Sequence, residues 1–101
     1  MDLKPGAQLA SVVCDTRVVV VKAPPSGQAD IGCGGRPMVP AADRGDAEGE
    51  PDPALSTGSQ LGKRYEADGV ELLCTAPGAG TLTCAGEPMV LKAAKPLPAS
   101  D

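Results

Sequence analysis

The chain has 101 residues and a formal net charge of −4, and 42% of its residues are hydrophobic but only 1% aromatic. This size allows one small domain or two very small ones, whose core must be built from Val, Leu, Ala and Met. The acidic balance and the single aromatic residue, Tyr65, argue against nucleic-acid binding, which relies on basic patches and stacking rings.

The apolar runs and the start of the chain bear on its location. No apolar run approaches the roughly 20 residues of a membrane span. Residues 1–5, MDLKP, lack the basic and apolar regions of a secretory signal. We therefore expect a cytoplasmic protein without a membrane span. In that compartment the four cysteines are read as metal ligands or buried apolar groups before they are read as disulfides.

The first part of the chain predicts short β-strands separated by turns. Residues 8–13 predict a strand, and residues 14–16 a tight turn, because Asp and Thr side chains bond nearby backbone. Residues 17–22, RVVVVK, are the clearest strand of the chain, β-branched and bounded by charge. Two prolines end it, and residues 30–33 predict a return strand before a glycine turn.

The second part begins with a change of composition. Residues 41–59 are rich in Ala, Asp, Gly, Glu and Pro. Such a segment buries too little apolar surface to offset the entropy cost of ordering, so we predict an acidic linker. After it, residues 61–66 and 69–75 predict a strand pair, residues 81–84 a return strand and residues 89–93 a final strand. No segment predicts a helix.

Two seven-residue segments of the chain match each other. They are Cys33-Gly34-Gly35-Arg36-Pro37-Met38-Val39 and Cys84-Ala85-Gly86-Glu87-Pro88-Met89-Val90. A repeat of this kind indicates a duplicated unit, and pieces below about 40 residues rarely fold alone. The predicted division is residues 1–40, first repeat; 41–59, linker; 60–95, second repeat; 96–101, extended tail.

The segment TLTCAGEPMV at residues 81–90, together with the strand and glycine turn before it, resembles desulforedoxin and the N-terminal domain of desulfoferrodoxin. In this rubredoxin-related family a short β domain binds iron through four cysteines, an early CxxC pair and a late CC pair. The resemblance covers both halves. It implies an all-β fold of two small desulforedoxin-like hairpin-and-sheet units in pseudo-two-fold tandem, with no substantial helix.

The resemblance also implies where metal ligands would lie in the first half. The early pair would be Ser11 and Cys14, and the late pair Cys33 and Gly34. The first half thus keeps two of four thiolates. A tetrahedral iron or zinc site needs four ligands, and no histidine is available as a substitute.

The second half keeps fewer ligands by the same resemblance. Its early pair would be Lys63 and Glu66, and its late pair Cys84 and Ala85, so that one thiolate remains. Cys74 matches Lys22 in the repeat register and corresponds to no family ligand. The resemblance therefore implies a scaffold whose metal sites have degenerated.

Cys14 and Cys33 are the candidate metal ligands, and three states stay open for them. In the first, they hold Fe or Zn with ligands completed by a partner protein, by Asp15 or by a second copy. In the second, they form a disulfide, whose loop closure contributes about 3 kcal/mol in the chain-entropy model. In the third, both are reduced and buried as small apolar groups.

Four apolar residues are candidate partner contacts. In the repeat register, Val19 matches Glu71. The strand of the first half is therefore apolar on both faces, whereas the matching strand of the second half alternates in part between apolar and polar residues. Because such strands are usually covered on both sides, Val19 and Val21 are expected to dock on the other half or on a larger protein. The alternative is that valine merely suits strands. Met38 and Met89 are either partner contacts or core residues.

These observations predict a non-enzymatic protein without a cofactor. The expected function is a small accessory or structural subunit that binds and stabilises a larger metabolic or redox enzyme. This expectation is based on the loss of most metal ligands from the family scaffold and on the small size of the two halves, which are not expected to fold separately. The alternative is a rubredoxin-like Fe or Zn electron-transfer protein. A redox switch based on a disulfide between Cys14 and Cys33 is a third hypothesis.

Overall fold

The computed structural model describes residues 3–45, 49–67 and 69–91. In these ranges the regular structure is short β-strands and two three-residue 3₁₀ helices, η1 (Ala41–Asp43) and η2 (Pro53–Leu55). The strands are β1 (Gln8–Ala10), β2 (Arg17–Lys22), β3 (Ile31–Cys33), β4 (Arg36–Pro37), β5 (Val39–Pro40), β6 (Arg64–Ala67), β7 (Val70–Ala76), β8 (Leu82–Cys84), β9 (Glu87–Pro88) and β10 (Val90–Leu91). The predicted all-β class is confirmed. The described ranges contain no helix with the length and apolarity that a membrane crossing requires.

The strands form two antiparallel sheets that both halves of the chain share. One has the order β10-β6-β7-β2-β1-β5 and the other β4-β3-β8-β9. The two halves enter each sheet symmetrically: if β1 to β5 are replaced by β6 to β10 and the reverse, each sheet has the same strand order read from its other edge. The central pairs, β2 with β7 and β3 with β8, join one half to the other. The division into two desulforedoxin-like units, with the predicted boundaries, stays a prediction.

The strand predicted at residues 17–22 is confirmed as β2, and its side chains alternate between the two faces of the sheet. Val18 and Val20 point into the core, and Val19 between them is half-buried. The strand predicted at residues 8–13 ends at Ala10, because the Ser11 N–H donates to Thr16 O at 2.9 Å and turns the chain. The last strand starts at Val90, and its predicted end lies outside the described residues.

The core is one cluster of apolar side chains drawn from both sheets. The six-stranded sheet contributes Val18, Val20 and Leu72, and the four-stranded sheet contributes Ile31 and Leu82. Full burial of such a side chain stabilises a fold by about 1.5–3 kcal/mol. The cluster also contains both methionines of the repeated turns, three of the four cysteines and the only aromatic ring: Met38, Met89, Cys33, Cys74, Cys84 and Tyr65.

The strand pairing shows which residues of the two halves are structurally equivalent, and near β1 and β6 these differ from the residues that the sequence repeat aligns. Leu9 pairs with Val18 and Pro40, and Tyr65 pairs with Leu72 and Leu91, so Leu9 and Tyr65 hold equivalent positions. In the first half six residues, 11–16, separate β1 from β2. In the second half only two separate β6 from β7.

The loop that carries Cys14 therefore has no counterpart of equal length in the second half. Lys63 precedes β6, and Glu66 lies within β6, where it pairs with Glu71 and Val90. The register that assigned Lys63 and Glu66 to the early ligand pair is wrong for this segment, because the hairpin is four residues shorter.

Candidate functional site

The loop at residues 11–16 places the Cys14 thiol at the edge of the core. The loop folds around the buried Ser11 hydroxyl, whose oxygen accepts the backbone N–H of Val13 and of Cys14, both at 3.2 Å. A serine hydroxyl that accepts two backbone N–H groups stabilises a tight turn. The Cys14 S–H donates to the same Ser11 oxygen at 3.2 Å, and when Cys14 is ionised the Ser11 hydroxyl can donate to the sulfur instead. Cys14 itself is half-buried.

Cys33 is brought to the same place by the other sheet. It is the last residue of β3 and is fully buried. Its Sγ lies 3.7 Å from the Sγ of Cys14, and both thiols are free. The structure thus brings together Ser11, Cys14 and Cys33, three of the four first-half positions that the family resemblance singled out.

A chain of hydroxyl groups connects Cys14 to the second half. The Thr16 Oγ1 lies 3.2 Å from the Cys14 Sγ and 2.7 Å from the Ser59 Oγ. The Gly78 N–H donates to the Ser59 Oγ at 3.2 Å. As a thiol, Cys14 donates to the Thr16 Oγ1. When Cys14 is ionised, each hydroxyl can donate toward the sulfur, and the chain then runs from the Gly78 N–H through Ser59 and Thr16 to Cys14. Consecutive hydrogen bonds of this kind polarise one another.

The loop at residues 77–81 closes over the two thiols, and only glycine fits at two of its positions. A Cβ on Gly78 would overlap the Thr16 Oγ1 and lie 2.6 Å from the Thr16 N and 3.0 Å from the Cys14 Sγ. A Cβ on Gly80 would lie 2.8 Å from the Cys33 Sγ. Backbone of the second half therefore sits directly against both sulfurs.

The two thiols differ in acidity because their surroundings differ. Burial opposes ionisation of Cys14, but hydrogen bonds from the side chains of Ser11 and Thr16 and from the backbone of Thr16 and Gly80 outweigh it. Together they lower the pKa of Cys14 from 9.0 to about 7. Deeper burial, followed by the nearby Cys14 charge, raises the pKa of Cys33 to about 12. Cys14 is thus the more acidic thiol of the pair, and Cys33 stays protonated at neutral pH.

Cys74 lies in β7 of the six-stranded sheet and belongs to the surroundings of this pair. Burial raises its pKa, with a smaller contribution from the charge of Cys14, against a lowering hydrogen bond with Ser59. Its Sγ donates to Ala76 O at 3.2 Å. Cys84 lies in β8 of the other sheet and is buried. Cys74 and Cys84, the last two cysteines of the sequence, belong to different sheets.

The segment predicted as a linker contributes contacts that hold the Cys14 loop. The Arg44 Nε donates to Ser11 O at 2.8 Å, and its Nη2 donates to Cys14 O at 3.2 Å. Two donors from one planar guanidinium fix the backbone on either side of the Val12–Val13 turn. Further along, the Asp52 N–H donates to Gly34 O at 2.8 Å, beside Cys33.

The donor set around Cys14 and Cys33 does not complete a four-thiolate metal site. Bonds of about 2.3 Å in a tetrahedron place neighbouring sulfurs about 3.8 Å apart, which agrees with the 3.7 Å between the two Sγ atoms. The other two positions hold Ser11 and Gly34. A Cβ on Gly34 would lie 2.9 Å from Val13 Cγ2 and 3.0 Å from Pro51 Cβ, so that position is closed. Within the described ranges no three His, Cys, Asp or Glu side chains form a metal-binding group.

The candidate partner contacts fall into two classes. Met38 and Met89 are 1% and 7% exposed, so their side chains fill the core and offer no contact area to a partner. This burial contradicts the first alternative for the two methionines, partner contacts, and agrees with the second, since both belong to the core cluster. Val19 is half-buried beside Leu73 of the second half, and Val21 is exposed.

Sequence patterns missed most of the residues that surround the thiols. Arg44 and Ser59 lie in the segment predicted as a linker, and Thr16 was assigned only to a turn. The closely spaced glycines of residues 77–80 were read as a turn, and that Gly-x-Gly spacing is the one signal that pointed to a close backbone approach.

Comparison of the chain with known proteins finds no family model, no curated protein and no solved structure that matches it. The resemblance to desulforedoxin therefore rests on the residues of this chain.

Proposed function

We propose that this chain is a small non-catalytic accessory protein that binds a larger protein along the edge strand β10. The observation that carries the proposal is a row of core side chains that ends at β10, which is the outermost strand of its sheet within the described residues. Val20, Leu72, Tyr65 and Leu91 follow one another across four paired strands. The first three are at most 6% exposed, whereas Leu91, on the edge strand, is 46% exposed.

The other residue of β10 adds to this apolar edge. Val90 lies next to Leu91 and is 61% exposed, so both faces of the strand present an apolar side chain. An exposed apolar edge is a template on which another chain can add a strand. A partner that adds a strand here would cover Leu91 and continue the core row.

The opposite edge of the same sheet is protected. There the equivalent strand β5 consists of Val39 and Pro40, and proline lacks the N–H that an added strand would need. The chain then continues directly into η1, which contacts β1. The difference between the two edges supports a binding role for β10, because natural proteins usually block edges that they do not use.

A groove beside β10 indicates the chemistry of the partner. It has a volume of about 410 Å³ and is lined by Lys22, Glu66, Glu71 and Val90 among others. Glu66 lies between Val90 and Glu71 in one cross-strand row. We assign as partner an extended segment with alternating apolar side chains and a basic residue that reaches Glu66. The formal charge of −4 favours association with such a segment.

The test is affinity purification from the native source with tagged wild-type chain and a Val90→Lys variant. Lysine on an edge strand blocks strand addition, so we expect one stoichiometric partner to be retained by the wild type and lost by V90K. The matched control is Glu87→Lys on the exposed edge strand β9 of the other sheet, which should retain the partner. A wild-type chain that is recovered alone, or a partner that V90K retains, would reject the proposal.

The rubredoxin-like electron carrier stays the alternative proposal, and one observation favours it. The spacing of the Cys14 and Cys33 sulfurs equals that of two neighbouring ligands in a tetrahedral thiolate site. Two further ligands would have to come from outside the described residues. Stoichiometric Fe or Zn in freshly purified chain would favour this alternative over the accessory role.

A further inference from the structure

We propose that Cys14 and Cys33 form a reversible dithiol–disulfide site that small hydroperoxides oxidise, with Cys14 as the attacking thiol and Cys33 as the resolving thiol. The distance between the two Sγ atoms carries the inference. At 3.7 Å the thiols are in contact, about 1.7 Å further apart than in a disulfide bond. Cys14 lies in a loop between strands, so its thiol can close this gap by a small loop movement.

The roles of the two cysteines follow from their positions. Cys14 is half-buried, and its Sγ lies 3.2 Å from the hydroxyl oxygens of both Ser11 and Thr16. Cys33 is fully buried behind it at the end of β3. An oxidant therefore meets Cys14 first. A partly exposed thiol in contact with a buried second thiol is the arrangement typical of redox-active cysteine pairs.

The closeness of the glycine loop selects a small oxidant. Backbone of Gly78 and Gly80 lies so near the sulfurs that even a single added methyl group would collide with them. A hydroperoxide needs to bring only one oxygen atom to the Cys14 sulfur. A larger disulfide such as oxidised glutathione must align three sulfur atoms in line at the same place, and the loop leaves little room for this.

The chemistry balances with hydrogen peroxide as the co-reactant. The Cys14 thiolate attacks one peroxide oxygen, the O–O bond breaks, and the leaving hydroxide takes a proton to become water. The Cys14 sulfenic acid that results is attacked by Cys33. The S–O bond breaks, the S–S bond forms, and the proton of Cys33 leaves with the oxygen as a second water. Both sulfurs together lose two electrons, and an external dithiol returns them when it reduces the disulfide.

The experiment exposes the purified full-length chain to one equivalent of hydrogen peroxide and maps its peptides by mass spectrometry. We expect one Cys14–Cys33 disulfide, a loss of two hydrogens in the intact mass, and recovery of both thiols with dithiothreitol. Cys14 should react at least about tenfold faster than Cys74, which burial keeps protonated. One equivalent of oxidised glutathione in a parallel sample should react more slowly than the peroxide.

Two variants distinguish the attacking thiol from the resolving thiol, and the wild-type experiment can be interpreted without them. Cys33→Ser should stop the reaction at a Cys14 sulfenic acid that dimedone traps, whereas Cys14→Ser should leave Cys33 unmodified. Cys84→Ser, a matched control in the other central strand of the same sheet, should form the disulfide as the wild type does. Oxidation that reaches Cys74 or Cys84 as fast as Cys14, or no disulfide under these conditions, would overturn the proposal. Faster reaction with oxidised glutathione would reject the hydroperoxide as the oxidant.

Discussion

At the scale of single residues, the difference between Cys14 and Cys33 is a difference in hydrogen-bond donors and burial. Each donor to an ionised sulfur stabilises the thiolate and lowers its pKa. Cys14 is placed among several: the hydroxyls of Ser11 and Thr16 and the backbone of Thr16 and Gly80. Cys33, at the end of a core strand, shares the hydroxyls of Ser11 and Thr16 but is buried more deeply, and the charge of Cys14 opposes its ionisation. The two residues are the same chemically and are made unequal by the fold.

The first prediction concerns the pH dependence of Cys14 alkylation. Only the thiolate reacts, so the rate of iodoacetamide modification at Cys14 should rise with pH through a midpoint at about 7. The pKa is lowered because donors stabilise the ionised form, and removing one donor must raise it. Thr16→Val removes the hydroxyl at 3.2 Å and should move the midpoint upward. Peptide mapping after timed alkylation gives the rate at each pH.

The control for this prediction is Thr75→Val, the same substitution on an exposed strand position. Its hydroxyl donates to Arg17 O and does not contact Cys14, so its midpoint should equal that of the wild type. An unchanged or lower midpoint in T16V would show that the hydroxyl chain does not set the acidity of Cys14.

At the scale of elements, the loop at residues 77–81 is the part of the second half that seals the site of the first. Gly78 forms a β-bridge with Ser59, and the Thr81 N–H donates to Leu55 O at 2.8 Å. The loop thus ties the segment before β6 to the cysteine pair. Its glycines are required because the loop presses backbone, rather than side chains, against Thr16 and the two sulfurs.

The second prediction is that Gly78→Ala destabilises the chain by about 2–3 kcal/mol. An added Cβ would collide with the Thr16 Oγ1 and lie 2.6 Å from the Thr16 N, and backbone cannot move away without breaking the Cys14 loop. Gly45→Ala is the matched control, because no atom lies within 4 Å of a Cβ at that position. Urea unfolding followed by circular dichroism measures both, and equal midpoints would contradict the close packing of this loop.

At the scale of the whole molecule, the halves are held together by pairing and not only by surface contact. The central strands of each sheet come from different halves, so neither half can form its sheet without the other. Leu9 in β1 and Leu72 in β7 belong to different halves but to the same core cluster. A structure arranged in this way should unfold as one unit, since loss of either half exposes the core of both.

The third prediction tests this cooperativity. Leu9→Ala and Leu72→Ala should each destabilise the chain by about 2–5 kcal/mol, because each leaves a cavity in the shared core. In both variants the unfolding curve from Tyr65 fluorescence, which reports the second half, should coincide with that from circular dichroism, which reports both. Separation of the two curves in L9A would show that the halves unfold independently.

Much of the architecture follows from local patterns in the sequence. The run RVVVVK predicts β2 because β-branched residues suit a pleated strand, and the structure places β2 at those residues. The matching segments at residues 33–39 and 84–90 indicate a duplicated unit, and the same succession of short strands lies at each of them, β3 to β5 and β8 to β10. A local sequence pattern predicts the element in which it lies but not how two elements align. The predicted register between the halves is therefore wrong around residues 63–66, where the second hairpin is four residues shorter than the first.

The sequence by itself determined the all-β class and the strongest strand, and its matching segments agree with the symmetric order of strands. Only the tertiary structure decided that Cys14 and Cys33 touch, that Ser59 and Gly78 reach them from the other half, and that β10 is the outermost strand of its sheet within the described residues. The physical reason is that hydrogen bonds and sulfur contacts depend on distances of a few tenths of an ångström between residues far apart in the chain. Local propensity sets which strands form, but the pairing of strands across the halves sets which side chains meet.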